Sequence, residues 1–266
     1  SHDVVNQLRR HFAEKRIGHA GTLDPGATGV LVVAVGHATR LLRYLAGAEK
    51  SYVGEIVLGT STSTLDDEGE TTATFDMNVT LAMARRVVSE HLTGEIEQVP
   101  PMVSALKVDG RRLHELAREG VEVERRPRPV TISRFDLEAT DDPLVLRASV
   151  DCSSGTYIRS LADDLGRLLG GGAHLRRLRR TRVGRFTLDE AERIEDATLL
   201  PMERVVEHLL AVSVDDATAD LVAHGRLLPV WPGDGPWAVS SNGRLLAVYE
   251  RFRDGEAKPA VVLVGS

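Results

Sequence analysis

Three features of this chain bear directly on chemistry. The first is a carboxylate in an unusual setting: in "GHAGTLDPGATGVLVVAVGHATR", Gly18 to Arg40, Asp24 stands among glycine, threonine and alanine, just before an apolar run. Pro25 removes one backbone donor and biases Asp24 toward extended geometry, while Gly21, Gly26 and Gly29 permit sharp turns and the close approach of another chain. Taken alone, such an aspartate is either a turn residue bonded to its own backbone or an acid presented to a reactant. The second feature is clustered guanidinium. "GAHLRRLRRTRVGR" holds Arg176, Arg177, Arg179, Arg180, Arg182 and Arg185, and "KVDGRRLHELAREGVEVERRPRPV" holds Lys107, Arg111, Arg112, Arg125, Arg126 and Arg128. One such run is usually a solvated face, but two point to a bound polyanion even in a chain of formal net charge −6, because phosphate is bound by local charge rather than by the sum. The third is a scarcity: with one cysteine, Cys152, and scattered histidines, neither an intrachain disulfide nor a metal site is expected. Cys152, between an apolar strand and a Ser-Ser turn, reads as a small buried residue.

The elements that must position these groups are readable in outline. "SHDVVNQLRRHFAEKRI" predicts a helix capped by Ser1 with an apolar stripe of Val4, Val5, Leu8 and Phe12. A loop from Gly18 to Gly29 follows, and the β-branched run Val30–Gly36 reads as a buried strand. "ATRLLRYLAGA" reads as a helix stopped at Gly47, "KSYVGEIVLG" as a strand, and "TLAMARRVVSEHL" as a helix with a Thr80 cap. "LVLRASVDCSSGTYIRSLADDLGRLLGGG" reads as strand, tight turn and helix. From about Asp215 apolar and polar residues alternate, Asn242-Gly243 and Asp254-Gly255 look like hairpin turns, and helix signals vanish.

A length of 266 residues, 42% hydrophobic and 27% charged, suits a folded protein of one large and one small domain. Strands and helices mix without a repeated βαβ period, which favours α+β over a doubly wound sheet. No run approaches a membrane span and no secretory leader is read in the opening "SHDVV"; with one cysteine, the expectation is a cytoplasmic protein.

The residues around Asp24 carry a resemblance. "GHAGTLDPGATGVL" resembles the signature of the bacterial tRNA pseudouridine-55 synthases, the TruB family. Further blocks follow in that family's order: "KSYVGEIVLGTSTSTLDDEGE" with Tyr52, Thr62, Thr64, Asp66 and Gly69, "PPMVSALKVDGRRLHELAREGVEVERRPR" as its RNA-facing insertion, "CSSGTYIRSLADDLG" with Tyr157 and Arg159, and "GAHLRRLRRTRVGRF" around Leu178. The resemblance implies the pseudouridine synthase fold, a mixed, mainly antiparallel central sheet flanked by helices, with a small C-terminal β-barrel resembling a PUA domain. Residues 1–212 would be the catalytic domain, with the insertion at about 100–128, and residues 213–266 the small RNA-binding module.

The implied reaction isomerises uridine at position 55 of the tRNA T-loop: the N1–C1′ bond breaks, the uracil turns, and C5 bonds to C1′. Asp24 matches the nucleophile, attacking C1′ or C6 of a base flipped out of its stack. Arg159 matches the arginine that keeps it ionised, with Asp66 sharing the guanidinium; Tyr52 matches the residue packed on the uracil, Tyr157 and Leu178 line the pocket, and His19 is an RNA contact. Lys107, Arg111, Arg112, Arg125, Arg126 and Arg128 of the insertion, with Arg176, Arg177, Arg179 and Arg180, would bind RNA. No cofactor and no metal is implied. The partner is tRNA, through T-loop and stem, with no membrane and no obligatory protein partner, and the enzyme is a monomer. A non-catalytic RNA-binding or tRNA-folding module and a general nucleoside- or glycoside-processing enzyme are the alternatives; the Asp24, Tyr52, Arg159 set counts against the first and the basic insertion against the second. Two departures stand out: the family's Lys-Pro-x-Gly strand would precede the first residue here, and Ser63 stands where an aspartate is common.

Overall fold

The computed structural model describes residues 1–104, 106–108, 110–121 and 123–264, and within these the side chains of residues 107, 108, 112, 114, 117 and 118 lie outside the description. Helix α1 (His2–His11) buries Val5 and Leu8 with Val4 and Phe12 packed beside them, the stripe expected from the spacing. Strand β1 (Ile17–His19) leads into the Asp24 loop and β2 (Thr28–Gly29), and β3 (Val33–Val35) returns antiparallel to β1. Only the end of the Val30–Gly36 run is therefore a strand; Val30 donates its N–H to the Arg180 carbonyl instead. Gly36–Leu45 is a 3₁₀ helix rather than an α-helix, and the Thr39 hydroxyl bonds back to the Gly36 carbonyl, a local bond that competes with α-helical pairing.

Next come β4 (Lys50–Leu58), the β5 (Thr60–Thr62) and β6 (Thr71–Thr74) hairpin, and α2 (Leu81–His91), whose Thr80 cap accepts from the Met83 N–H. Strand β7 (Gly94–Gln98) opens the insertion, which holds β8 (Lys107–Val108), β9 (Arg111–Arg112) and α3 (Leu113–Arg118). Then follow β10 (Arg128–Ala139), β11 (Val145–Cys152), α4 (Ile158–Leu168), β12 (Ala173–Val183) and β13 (Phe186–Thr187). The large sheet has the order β13-β12-β4-β11-β10-β7 and is antiparallel throughout, except that β2 joins β12 in parallel. Residues of α2 and α4, among them Val88, Leu161 and Leu165, bury one sheet face with Tyr52, Ile56, Ile132, Val150 and Leu175.

The small sheet has the order β14-β16-β17-β18-β15, from β14 (Leu210–Ser213), β15 (Leu228–Pro229), β16 (Trp237–Ser241), β17 (Arg244–Arg253) and β18 (Glu256–Val262). Asn242 and Gly243 both take positive φ at its first hairpin, the conformation for which that dipeptide is suited. Its core holds Trp237 and Tyr249, both fully buried. The expected absence of helix beyond Asp215 is corrected by α5 (Asp216–Ala223): Asp215 caps it by accepting from the Thr218 N–H, and Val222 is its one buried residue, so the apolar period is faint. By compactness, residues 23–31 and 47–191 form one unit, and residues 1–22, 32–46 and 192–266 the other. That line differs from a simple cut between 212 and 213. Among the described residues no helix is long and apolar enough to cross a membrane.

Candidate active site

Asp24 opens a β-turn: the Ala27 N–H donates to its carbonyl at 3.0 Å, with Pro25 and Gly26 at the corner. Gly29 has φ +98°, and a Cβ there would sit 2.1 Å from the Arg180 carbonyl oxygen, so no side chain fits. This close approach lets Val30 N–H reach the same carbonyl at 2.8 Å and pins the loop to β12.

The Asp24 carboxylate does not fold back on its turn. Both oxygens accept from one guanidinium, Arg159 Nε at 2.9 Å and Nη2 at 3.1 Å, the bidentate fork that only arginine offers. Arg159 lies in the first turn of α4 and is 3% exposed, whereas the Asp24 side chain keeps 35% of its surface. Two further donors are also occupied: Nη1 by the Thr64 carbonyl at 2.8 Å, and Nη2 again by the Val103 carbonyl at 2.9 Å. A buried charge is tolerable only when paired and hydrogen-bonded in this way. The start of α4 is itself held. Gln98, 2% exposed, accepts from the Tyr157 N–H at 2.7 Å and donates to the Tyr157 carbonyl at 3.1 Å, and Ser160 Oγ donates to the Val99 carbonyl.

Asp66 approaches the same guanidinium, 3.5 Å from Nε, as an ion pair rather than a close hydrogen bond. It is fixed from within its loop: the Thr64 hydroxyl and Glu68 N–H donate to its carboxylate, and the Thr62 hydroxyl donates to its carbonyl. Ser63 closes the base of this loop by accepting from Glu70 N–H, and Asp67 and Leu65 bond to Leu175 of β12. One guanidinium thus faces two carboxylates, so Asp24 is held in place without being fully neutralised.

Tyr52 lies on the core face of β4, 9% exposed, opposite Arg180 in the register with β12. Burial pushes its phenol up to about 12, the charge of Arg180 works against that, and the charge of Asp24 adds a little to it. It is therefore a neutral phenol at ordinary pH. Two residues away, burial and the charge of Arg180 lower Lys50, whose Nζ donates to the Ala48 carbonyl. Leu178 packs against the Tyr52 core, and Tyr157 is half-buried at the cap of α4.

The other expected contacts divide. His19 is half-buried at the end of β1, in the unit that does not hold Asp24. Arg111 is exposed and paired with Glu119; Arg125 donates to the Pro100 carbonyl; Arg126 and Arg128 are exposed, while the side chains of Lys107 and Arg112 lie outside the described set. Arg176 and Arg177 both pair with Glu55, and Arg179 is exposed. Arg180 corrects the expectation of a surface phosphate contact: it is 1% exposed, and its Nε donates to the Val30 carbonyl at 2.8 Å. Sequence reasoning missed Gln98 and the Val103 carbonyl. The latter has no side-chain signal to find, and Gln98 is marked only as a polar residue ahead of a Pro-Pro pair.

The chain matches known proteins over most of its length. Residues 9–158 match the TruB family pseudouridylate synthase (N terminal domain), and residues 159–216 match the tRNA pseudouridylate synthase B C-terminal domain. The tRNA pseudouridine synthase B of Mycobacterium tuberculosis (strain ATCC 25618 / H37Rv) is 45% identical over 265 residues, covering 93% of this chain and 87% of the relative. That of Thermobifida fusca (strain YX) is 45% identical over 279 residues, covering 100% and 95%. Among solved structures, a Cbf5-Nop10-Gar1 complex matches with TM-score 0.70 and 28% identity, covering 96% of this chain and 75% of that one. An archaeal box H/ACA sRNP Nop10-Cbf5 complex matches with TM-score 0.71 and 26% identity, covering 99% and 82%.

Proposed function

This chain belongs to the TruB family of pseudouridylate synthases and isomerises uridine to pseudouridine in tRNA, and we propose that Asp24 is its covalent catalyst, acting on a flipped-out uridine at position 55 of the T-loop. The observation that carries the assignment is the bidentate fork: a carboxylate with one-third of its surface open, gripped by a guanidinium with almost none. The fixed guanidinium holds both carboxylate oxygens in one orientation, in a site that bound RNA would dry out.

The base must first leave its stack, at a cost of a few kcal/mol that stacking and shape offset. Tyr52 packs on the extruded uracil, and Tyr157 and Leu178 close the pocket. Asp24 attacks C1′ or C6, the N1–C1′ bond breaks, the ring turns, C5 bonds to C1′ and Asp24 leaves; the C5 proton is then lost to solvent and one proton is taken up at N1, so no net oxidation or hydrolysis occurs. Arg159 restrains the carboxylate to one line of approach, while Asp66 keeps the guanidinium from closing wholly over Asp24. His19 contacts the RNA, and exposed insertion arginines such as Arg126 and Arg128 hold phosphates while the unstacked loop bases supply recognition.

Residues 1–212 serve catalysis, and the open half-barrel formed by the small sheet grips RNA in the manner of a PUA module. The enzyme works as a cytoplasmic monomer without a protein partner or cofactor. Unmodified tRNA carrying tritium at uridine C5 tests the core of this reading. Wild type releases tritium, and Asp24→Asn binds the same tRNA but releases none; release that persists in Asp24→Asn removes Asp24 from the chemistry.

A further inference from the structure

Arg180 belongs, by sequence, to a run of phosphate-binding type, yet its guanidinium is buried among the groups that shape the site. Burying a cation is costly, and an apolar side chain of similar volume would fill the same space with less penalty. What the guanidinium adds is a set of directed donors. Nε donates to the Val30 carbonyl, six residues beyond Asp24 on the same loop. The Arg180 carbonyl accepts from the Val30 N–H, so main chain and side chain hold one loop residue from both sides. Across the ladder Arg180 is the register partner of Tyr52, and its charge acts on the Tyr52 phenol. Gly29 permits all this, since any Cβ there would collide with the Arg180 carbonyl.

We infer that Arg180 is a positioning residue for the isomerisation: it fixes the spacing between the Asp24 loop and the Tyr52 phenol, and makes no contact with RNA phosphate. The inference rests on the assignment of Asp24 and Tyr52 to the reaction. The nucleophile has to meet one ring atom of a base whose plane is set by Tyr52, so a loose tie between loop and ring spreads the angle of attack. Lysine, with one compact ammonium, cannot hold the Val30 carbonyl and keep its charge beside the phenol in the fixed geometry of a planar guanidinium.

The test uses the full chain as Arg180→Lys and Arg180→Met. It measures single-turnover conversion at saturating tRNA, tRNA affinity at two salt concentrations, thermal unfolding, and the Cζ resonances of ¹³C-labelled tyrosine. The Tyr52 signal is the one that disappears in Tyr52→Phe. In both variants the rate falls about ten- to a hundredfold, the scale of a small misalignment of reacting groups. Affinity and its salt dependence stay within about twofold of wild type, because every phosphate keeps its cation, and the Tyr52 resonance moves.

Loss of affinity with a shallower salt slope and an intact rate would make Arg180 a phosphate ligand and overturn the inference. So would an unmoved Tyr52 signal, a wild-type rate in a folded Arg180→Lys, or failure of both variants to fold, which would make Arg180 a core residue only. Asp24→Asn, run alongside, separates the two readings: if it turns over normally the site assignment has failed, whatever Arg180 does.

Discussion

The α4–β12 region and the insertion at about 100–128 are both rich in arginine, and the fold treats them in opposite ways. In the first, Arg159 and Arg180 are buried with their donors aimed at carboxylate and carbonyl oxygens, and Arg176 and Arg177 are offset by Glu55. In the second, Arg126 and Arg128 stand in solvent. The same residue type serves as a rigid fork where the chain encloses it and as a diffuse positive surface where it does not. Composition cannot separate these uses; what faces each guanidinium does.

Substitution at Arg159 tests the enclosed end of this contrast most severely. Arg159→Lys keeps the charge and loses the two-point grip on Asp24, together with the carbonyl bonds to Thr64 and Val103. Single-turnover conversion should fall about 10³-fold, the upper range for removing a preorganised donor, with tRNA affinity unchanged. Matched losses in rate and affinity would put Arg159 among the phosphate ligands and erase the distinction. Gly29→Ala attacks the enclosed region through its backbone. With φ +98° and no room for a Cβ, the loop must leave β12, and we expect unfolding to become easier by about 2–3 kcal/mol, the range for strain at such positions, as read by urea denaturation. An unchanged midpoint would mean that the loop is not pinned.

How much of this was legible depended on whether side chains or backbone do the work. The Asp24 turn could be read directly, since glycine and proline announce their own geometry. Pairing Asp24 with Arg159, 135 residues away, came only through the family resemblance, because nothing local links them. That Arg180 is buried is not legible in the run for a physical reason: the ladder between β12 and β4 slips between Arg176 and Arg179 and again between Arg180 and Arg182, and Arg177 takes φ +55°. Alternation therefore cannot be phased along the run, and which arginine turns inward is invisible in sequence. The Val103 carbonyl is invisible for another reason, being main chain at the entrance to the insertion.

The exposed end of the contrast predicts a smaller and different effect. Arg126→Ala with Arg128→Ala should weaken tRNA binding several-fold and make its salt slope shallower by about 0.7–0.9 for each phosphate left without its cation, leaving saturating conversion intact. Arg176→Ala with Arg177→Ala should change the slope less, since Glu55 already offsets both charges. Equal slopes for the two pairs would show that pairing with Glu55 does not decide which arginines meet RNA.

The smallest expected effect concerns the cost of enclosure itself. Lys50 is 8% exposed, and burial together with the charge of Arg180 holds its pKa below the usual 10.5. The folded state thus binds this proton less tightly than the unfolded chain. Below the folded pKa both states are protonated and the full penalty applies; as pH rises through that value toward 10.5 the folded state sheds the proton first, and the penalty fades. Lys50→Met removes the charge and should stabilise the protein at pH 7 by about 1 kcal/mol, the low end for replacing a buried ionic group, because the bond to the Ala48 carbonyl goes with it. The difference between variant and wild type should narrow as pH approaches 10.5, whereas Arg126→Met, in solvent, should show no gap at either pH. Denaturant titrations at pH 7 and pH 10 decide it: a Lys50→Met protein less stable than wild type at pH 7, or a gap that widens with pH, would mean that the enclosed cations cost the fold nothing and that their burial needs no functional return.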